Sequence, residues 1–224
     1  MPSLLGVPVD AAYHLVFALT SGFTPLLGGL AAAIGIIVFT MAIRLLIAPL
    51  SFRALRGQAA LARGAADGVA PRMADEGTSV LAGILPILAQ WPVLSVVYVL
   101  FRSPCVGGGT NQLLTRTLGG VPLGAHWLSG ASALSVHGGI FLVVFAVLAA
   151  LCWLSIRLAR RFAAPHAPTP RGAVKVLGNV LPFSTVVIAV FAPLAAGLYL
   201  VTTMAWSLAE RWLFLRRSAS VALS

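Results

Sequence analysis

The sequence predicts an all-α protein that crosses a membrane several times. Hydrophobic residues make up 59 % of its 224 residues and charged residues only 9 %, whereas charged residues reach about a quarter of an ordinary soluble domain. The apolar residues also form four long runs, each long enough for the roughly 20 residues that a membrane-spanning helix needs. These two observations define the fold class as an integral membrane protein.

The N-terminal segment, residues 1–25, precedes the first of these runs. Its stretch VDAAYHLVFALTSGF, from Val9 to Phe23, is amphipathic. Because this stretch is too short and too polar to cross the bilayer, we predict a helix that lies along the outer leaflet.

The first three apolar runs each predict one span. We place these spans at residues 26–50, 80–101 and 136–156. The first two are joined by a cytoplasmic hairpin region, residues 51–79. A loop rich in Gly and Pro, from Arg102 to about Ser135, joins the second and third, and we expect it to be irregular.

The fourth run, Val176 to Ala209, holds no charged residue over 34 positions. As one helix it would be roughly 50 Å long, well beyond the hydrocarbon core of about 30 Å. Pro193, in the stretch FAPLAAG, indicates a break because proline removes a helix hydrogen bond. We therefore predict two spans, at residues 174–191 and 194–213, which complete a five-span core over 26–217 and leave a short tail at 218–224.

The basic residues orient these five spans. With the N-terminus outside and the C-terminus inside, twelve Lys and Arg residues lie in cytoplasmic segments and only Arg102 and Arg116 lie outside. A single span in place of the last two would make the ratio nine to five. The net charge of +10 thus reflects membrane orientation, and we expect no nucleic-acid partner beyond a weak proximity to the ribosome.

Arg44 places a permanent positive charge inside the first apolar run, in the stretch FTMAIRLLIAPL. On a continuous helix it lies roughly 13 Å from Arg53, the expected cytoplasmic boundary, and so within the hydrocarbon. An arginine at this depth costs about 2.5 to 3.5 kcal/mol unless water or a partner satisfies it. No acidic residue falls in the middle of an apolar run. We therefore expect Arg44 to lack an acidic partner within the bundle and to face a water-containing cavity; alternatively, its long side chain reaches the cytoplasmic headgroups.

Three polar residues in other spans are candidates to line the same cavity. Gln90 lies between Pro86 and Pro92, which free backbone carbonyls in the second span. Thr202 and Thr203 lie near the middle of the last span. Each also has a structural alternative, which is an interhelical hydrogen bond for Gln90 and a bond to a carbonyl of their own helix for the threonines.

No sequence pattern indicates an enzyme or a metal site. The chain has no zinc-binding His-Glu spacing and no nucleotide-binding loop. Cys105 and Cys152 are 47 positions apart, with no second Cys or paired His beside either. We expect no catalytic residue, no metal and no cofactor, and we interpret Trp206 and Trp212 as interfacial anchors.

Three stretches, taken in order, resemble the core helices of the YidC family of membrane protein insertases, bacterial relatives of the mitochondrial Oxa and chloroplast Albino proteins. Arg44 followed by LLIAPLSFRAL resembles the first core helix, LPILAQWPVLSVVYVLF resembles the second and FAPLAAGLYLVTTMAWSL resembles the last. The stretch GVPLGAHWLSG is similar to the family's outer loop. The likeness extends from about Val9 to Arg211.

The resemblance implies five helices that enclose a hydrophilic groove, open to the cytoplasm and to lipid but closed on the outside. The family's groove arginine corresponds to Arg44, its groove glutamine to Gln90, and the polar positions of its last span to Thr202 and Thr203. A hydrophilic, often acidic, N-terminal segment of the substrate would enter the groove and be attracted to Arg44 in a reduced dielectric. Burial of the substrate's own apolar helix in lipid would then drive insertion without ATP.

The same resemblance implies the partners and the location. The partners are nascent membrane proteins and membrane lipids, with a Sec-type translocon as a further partner. The location is a bacterial plasma membrane, in which we expect a monomer. The chain departs from the family at three places. Its segment 51–79 is short, whereas the family usually has a longer, strongly charged helical hairpin there. Leu200 follows Tyr199 where the family often has an aromatic pair, and Met204 stands where the family often has an asparagine. Its tail has no basic extension, so direct docking on ribosomal RNA is not expected.

Two other functions are compatible with the same sequence. A membrane subunit of a small-anion transporter would use Arg44 to bind its substrate, although no inverted repeat is visible between the halves. A degenerate paralogue would keep only a scaffold or assembly role. Stabilisation by small anions would indicate the transporter, and indifference to changes at Arg44 would indicate the scaffold.

Overall fold

A computed structural model describes residues 6–66, 95–106, 108–129, 135–161 and 180–221, and these residues are mostly helical. The helices are α1 (Gly6–Leu27), α2 (Ala31–Ala66), α3 (described over residues 95–102), α4 (Val136–Arg161), α5 (Ser184–Phe191) and α6 (Leu194–Val221). Four two-residue strands lie between α3 and α4: β1 (Cys105–Val106), β2 (Gly109–Thr110), β3 (Thr117–Leu118) and β4 (Val121–Pro122).

Helices α1 and α2 form a hairpin through a short 3-10 turn, Gly28–Leu30. Gly28 has a φ of 50°, a conformation that glycine adopts without strain. The two helices then pack so closely that a Cβ at Gly35 would lie 2.8 Å from the Thr20 hydroxyl oxygen. The face of α1 that is buried repeats every three or four residues, as in an amphipathic helix: Val9, Ala12, Val16 and Thr20.

Helix α2 begins at Ala31, five residues after the predicted start of the first span, because the chain turns at Gly28. It contains Pro49 and continues to Ala66, so the first part of the segment 51–79 is helical. The rest of that segment, and most of the predicted second span, lie outside the described residues. The orientation of α1 along the outer leaflet stays a prediction.

Helix α6 is the centre of the described bundle, since it packs against both α2 and α4. Small residues permit this close approach: a Cβ at Gly197 would lie 3.2 Å from a methyl group of Val144. Leu148 of α4 and Leu194 and Ala195 of α6 are completely buried in the same apolar core. Helix α5 ends at Phe191 and α6 begins at Leu194, which confirms the predicted helix break at Pro193.

The described residues of the loop between α3 and α4 are more ordered than the irregular loop that we expected. β1 pairs antiparallel with β2, and β3 pairs antiparallel with β4. The buried Asn111 joins this loop to α3, because its amide donates to the carbonyl oxygens of Leu100 and Ser103. Its side-chain oxygen accepts a hydrogen bond from the Leu113 N–H. The abundance of Gly was a poor guide here, since Gly119 and Gly120, both with positive φ, form the tight turn between β3 and β4.

The same loop closes one end of the bundle by binding the start of α6. The N–H groups of Leu194 and Ala195 donate to the carbonyl oxygens of Ala125 and Leu123, at 2.9 and 3.0 Å. The first N–H groups of a helix have no partner within the helix. These contacts supply two such partners, and they are possible because Pro193 starts a new helix at this point.

Large apolar side chains lie on the outside of the described helices. Leu46 of α2 is 80 % exposed, Val143 of α4 is 63 % exposed and Phe191 of α5 is 63 % exposed. Among the described residues, two helical stretches are long and apolar enough to cross a membrane, Gly6–Pro49 and Val136–Arg161. The predicted count of five spans and their orientation stay predictions.

Candidate functional site

Arg44 lies half-buried on α2, the helix that packs along α6. It interacts electrostatically with Tyr199 and Glu210, which are both on α6. Both of these side chains are buried, with Tyr199 2 % and Glu210 7 % exposed. The guanidinium therefore belongs to the interface between the two helices.

Glu210 corrects the expectation that Arg44 lacks an acidic partner within the bundle. The sequence argument searched for an acid in the middle of an apolar run, whereas Glu210 lies near the end of one. Packing of α2 against α6 brings its carboxylate into electrostatic range of Arg44. At reduced dielectric, such an interaction is stronger than it would be in water.

Trp206 orients this carboxylate. Its indole Nε1–H donates a hydrogen bond of 2.8 Å to Glu210 Oε1, one helical turn away. The interpretation of Trp206 as an interfacial anchor therefore misses its main polar contact. Trp212 differs, since it is exposed and its ring stacks under the Arg216 guanidinium, 3.8 Å from the ring centroid.

The two threonines proposed as groove residues lie in different surroundings. The Thr202 hydroxyl donates to the carbonyl oxygen of Leu198 at 2.9 Å, which is the structural alternative considered for it. Thr203 is 2 % exposed, and its hydroxyl faces Tyr199. Within the described part of the chain it finds no partner that meets hydrogen-bond geometry. Thr203 is thus the threonine whose buried hydroxyl lies beside Tyr199, which interacts with Arg44.

Gln90 lies outside the described residues, as do Pro86 and Pro92. The structure therefore places three of the four predicted site residues. It associates Arg44 with Tyr199 and, through Tyr199, with Thr203, while the Thr202 hydroxyl bonds within its own helix.

Sequence reasoning missed the roles of three residues on α6, although a signal for them was present. The residues that matter recur at i, i+4, i+7 and i+11, a spacing that places them on one face of a helix: Tyr199, Thr203, Trp206 and Glu210. One face of this apolar helix thus carries an aromatic ring, a hydroxyl, an indole and a carboxylate. Such a pattern indicates a polar surface. In the ranges that the structure describes, no group of three or more His, Cys, Asp or Glu residues is placed to hold a metal ion.

Comparison with known families decides what this membrane protein is related to. Residues 69–220, more than half of the chain, match the family of the 60Kd inner membrane protein. The chain belongs to this family. It is the family of the YidC, Oxa and Albino insertases, so the resemblance seen in the sequence is confirmed.

Membership in the YidC family implies a role in membrane protein insertion and a membrane location. The family is one of non-enzymatic insertases. The matched residues include Thr203 and Glu210 but begin after Arg44. Comparisons with curated proteins and with solved structures gave no match.

Proposed function

We propose that this YidC-family chain inserts newly made membrane proteins, and helps them to fold, through a hydrophilic groove beside α2 and α6. One observation carries the proposal: the half-buried charge of Arg44 lies at a helix interface beside polar groups of α6. A permanent cation in such a place has a large interaction energy with an incoming acid, because little water screens it.

The proposed groove opens towards the cytoplasm and is closed on the outer side. The closure is supported by the hydrogen bonds from Leu194 and Ala195 to the α3–α4 loop, together with the buried side chains of Leu113 and Leu123. Such a closure would let a hydrophilic segment reach Arg44 from one side while the other side stays sealed.

Lipid is the second surface that the mechanism needs. The exposed apolar faces of α2, α4 and α5 offer a path along which a substrate's apolar helix would leave the groove. Burial of about 20 apolar residues in the bilayer supplies the driving force. Attraction to Arg44 positions the hydrophilic segment, and partitioning of the apolar helix completes the step.

We place this protein in a bacterial plasma membrane as a multi-pass protein with five spans, its N-terminus outside and its C-terminus inside. The basic residues at the end of α4, among them Arg160 and Arg161, support this orientation. Its proposed partners are nascent membrane proteins and lipids, with a Sec-type translocon beside it; we expect a monomer, no cofactor and no nucleic-acid partner.

The test is insertion of a single-span protein with a short acidic N-terminal segment into liposomes that contain the purified protein. We expect Arg44→Ala to lose most of the insertion activity and Arg44→Lys to keep much of it, because lysine retains the charge. Arg53→Ala is the matched control, since Arg53 is an exposed arginine on the same helix. Insertion no better than in empty liposomes, or full activity of Arg44→Ala, would contradict the proposal.

A further inference from the structure

We propose that Glu210 is the counter-ion that holds Arg44 when no substrate is bound, and that it thereby sets how strongly the site prefers acidic segments. This inference rests on the proposed function, because it concerns the same arginine. It goes further by assigning a specificity-determining role to a residue of α6.

The position of Glu210 supports this role. A carboxylate that is only 7 % exposed needs compensating partners, because burial of a charge without them is costly. Glu210 has two: the indole N–H of Trp206, at 2.8 Å, and the positive charge of Arg44 on the packed helix α2. The hydrogen bond fixes the carboxylate on the face of α6 that also carries Tyr199 and Thr203.

The same contacts satisfy Arg44 between substrates. An arginine at hydrocarbon depth is stable only with water or a partner, and one acid on the neighbouring helix provides part of that stabilisation. Glu210 therefore helps to keep the positive charge inside the bundle between substrates.

An entering acidic segment competes with Glu210 for one cation. The binding free energy of the segment is therefore the difference between two interactions, its own with Arg44 and that of Glu210 with Arg44, which it weakens. A neutral segment, in which amides replace the carboxylates, does not compete for the positive charge of Arg44. Glu210 thus lowers the preference for acidic segments and prevents them from binding too tightly to be released.

The first measurement is binding of two fluorescent peptides to the protein in nanodiscs. One peptide carries an acidic N-terminal segment, and the other carries the corresponding amides. We expect Glu210→Gln to tighten binding of the acidic peptide about fivefold, which corresponds to about 1 kcal/mol, and to leave binding of the amide peptide unchanged. The glutamine keeps an acceptor for Trp206 and removes only the charge.

Three further variants make this result specific. Glu210→Asp keeps the charge and should keep the wild-type preference. Asp10→Asn is the matched control, because it removes a carboxylate on another helix, α1, where Asp10 Oδ1 lies 3.6 Å from His14 Nε2. It should change the binding of neither peptide. Glu210→Met is a second neutral variant of similar volume, and it should shift the preference as glutamine does. With two neutral variants, the test remains decisive if one of them folds poorly.

The last comparison tests the coupling to Arg44. In an Arg44→Ala background, Glu210→Gln should not change the preference any further, because the shared cation is absent. An unchanged preference in both neutral variants, or weaker binding of the acidic peptide, would overturn the counter-ion role. If the preference shifts as expected but no variant inserts a substrate into liposomes, the insertase function fails while the role of Glu210 stands.

Discussion

Arg44 and Glu210 illustrate how one pair of side chains changes the properties of an apolar interface. A lone guanidinium within hydrocarbon would be unfavourable, but the carboxylate across the helix pair offsets part of that cost. An electrostatic interaction of this kind is not a source of large net stability, because desolvation opposes the attraction. In the proposed mechanism, its value is that it holds a charge where a substrate would reach it.

Trp206 is the residue through which this arrangement can be tested without changing any charge. Trp206→Phe removes the indole N–H and keeps an aromatic ring, so the buried Glu210 carboxylate loses its hydrogen bond. We expect a loss of about 1.5 to 3 kcal/mol, the usual range for a hydrogen bond to a charged group. Thermal unfolding of the purified protein in detergent measures the effect.

The control for this change is Trp212→Phe. Trp212 is exposed and its described polar contact is the stacked Arg216 guanidinium, so its substitution should shift the unfolding temperature much less. Equal shifts for the two tryptophans would contradict the role assigned to the Trp206 N–H.

The pairing of α1 with α2 depends on the absence of a side chain at Gly35. A Cβ there would lie 2.8 Å from Thr20 Oγ1 and 3.3 Å from the Thr20 backbone N, closer than van der Waals contact allows. Gly35→Ala should therefore destabilise the hairpin by about 1 to 3 kcal/mol, as overpacking of a core does. Unfolding in detergent and protease sensitivity of α1 measure this loss.

Gly22→Ala is the matched control for the helix pair. A Cβ at Gly22 meets nothing within 4 Å, so alanine should be neutral or slightly stabilising through its better helix propensity. Thr20→Ala should partly rescue Gly35→Ala, because it removes the hydroxyl that the new methyl group meets. Destabilisation by both glycine changes alike would indicate a general effect of alanine rather than the contact with Thr20.

Closure of one end of the molecule depends on the α3–α4 loop. Leu123 is completely buried, and its carbonyl oxygen accepts the hydrogen bond from Ala195. Leu123→Ala should destabilise the protein by about 2 to 5 kcal/mol, the range for truncation of a buried leucine. It should also speed amide exchange at Leu194 and Ala195, since the first N–H groups of a helix depend on such external acceptors. Hydrogen exchange followed by mass spectrometry measures that change.

Leu128→Ala is the corresponding control. Leu128 lies in the same loop but is 63 % exposed, so little packing is lost and exchange at the start of α6 should remain slow. Rapid exchange there in the wild-type protein would contradict the closure.

The whole molecule shows which predictions needed only local chemistry. The break at Pro193 was predictable because this proline, which removes a helix hydrogen bond, is followed by the small residues of the stretch APLAAG, whereas Pro49 alone does not interrupt α2. The bonding of the Thr202 hydroxyl to Leu198 was foreseen as an alternative, since its acceptor lies four residues away in the chain. The turn at Gly28 was missed, because the apolar pattern continues across it without interruption.

The sequence by itself determined the membrane character, the family resemblance and the position of Arg44 within an apolar run, because these follow from composition and order along the chain. The partner of Arg44 was decided only by the tertiary structure. Glu210 is 166 positions away in sequence, and no periodicity relates α2 to α6. Only the packing of the two helices brings the charges into range, because electrostatic interaction depends on distance in space and on the surrounding dielectric.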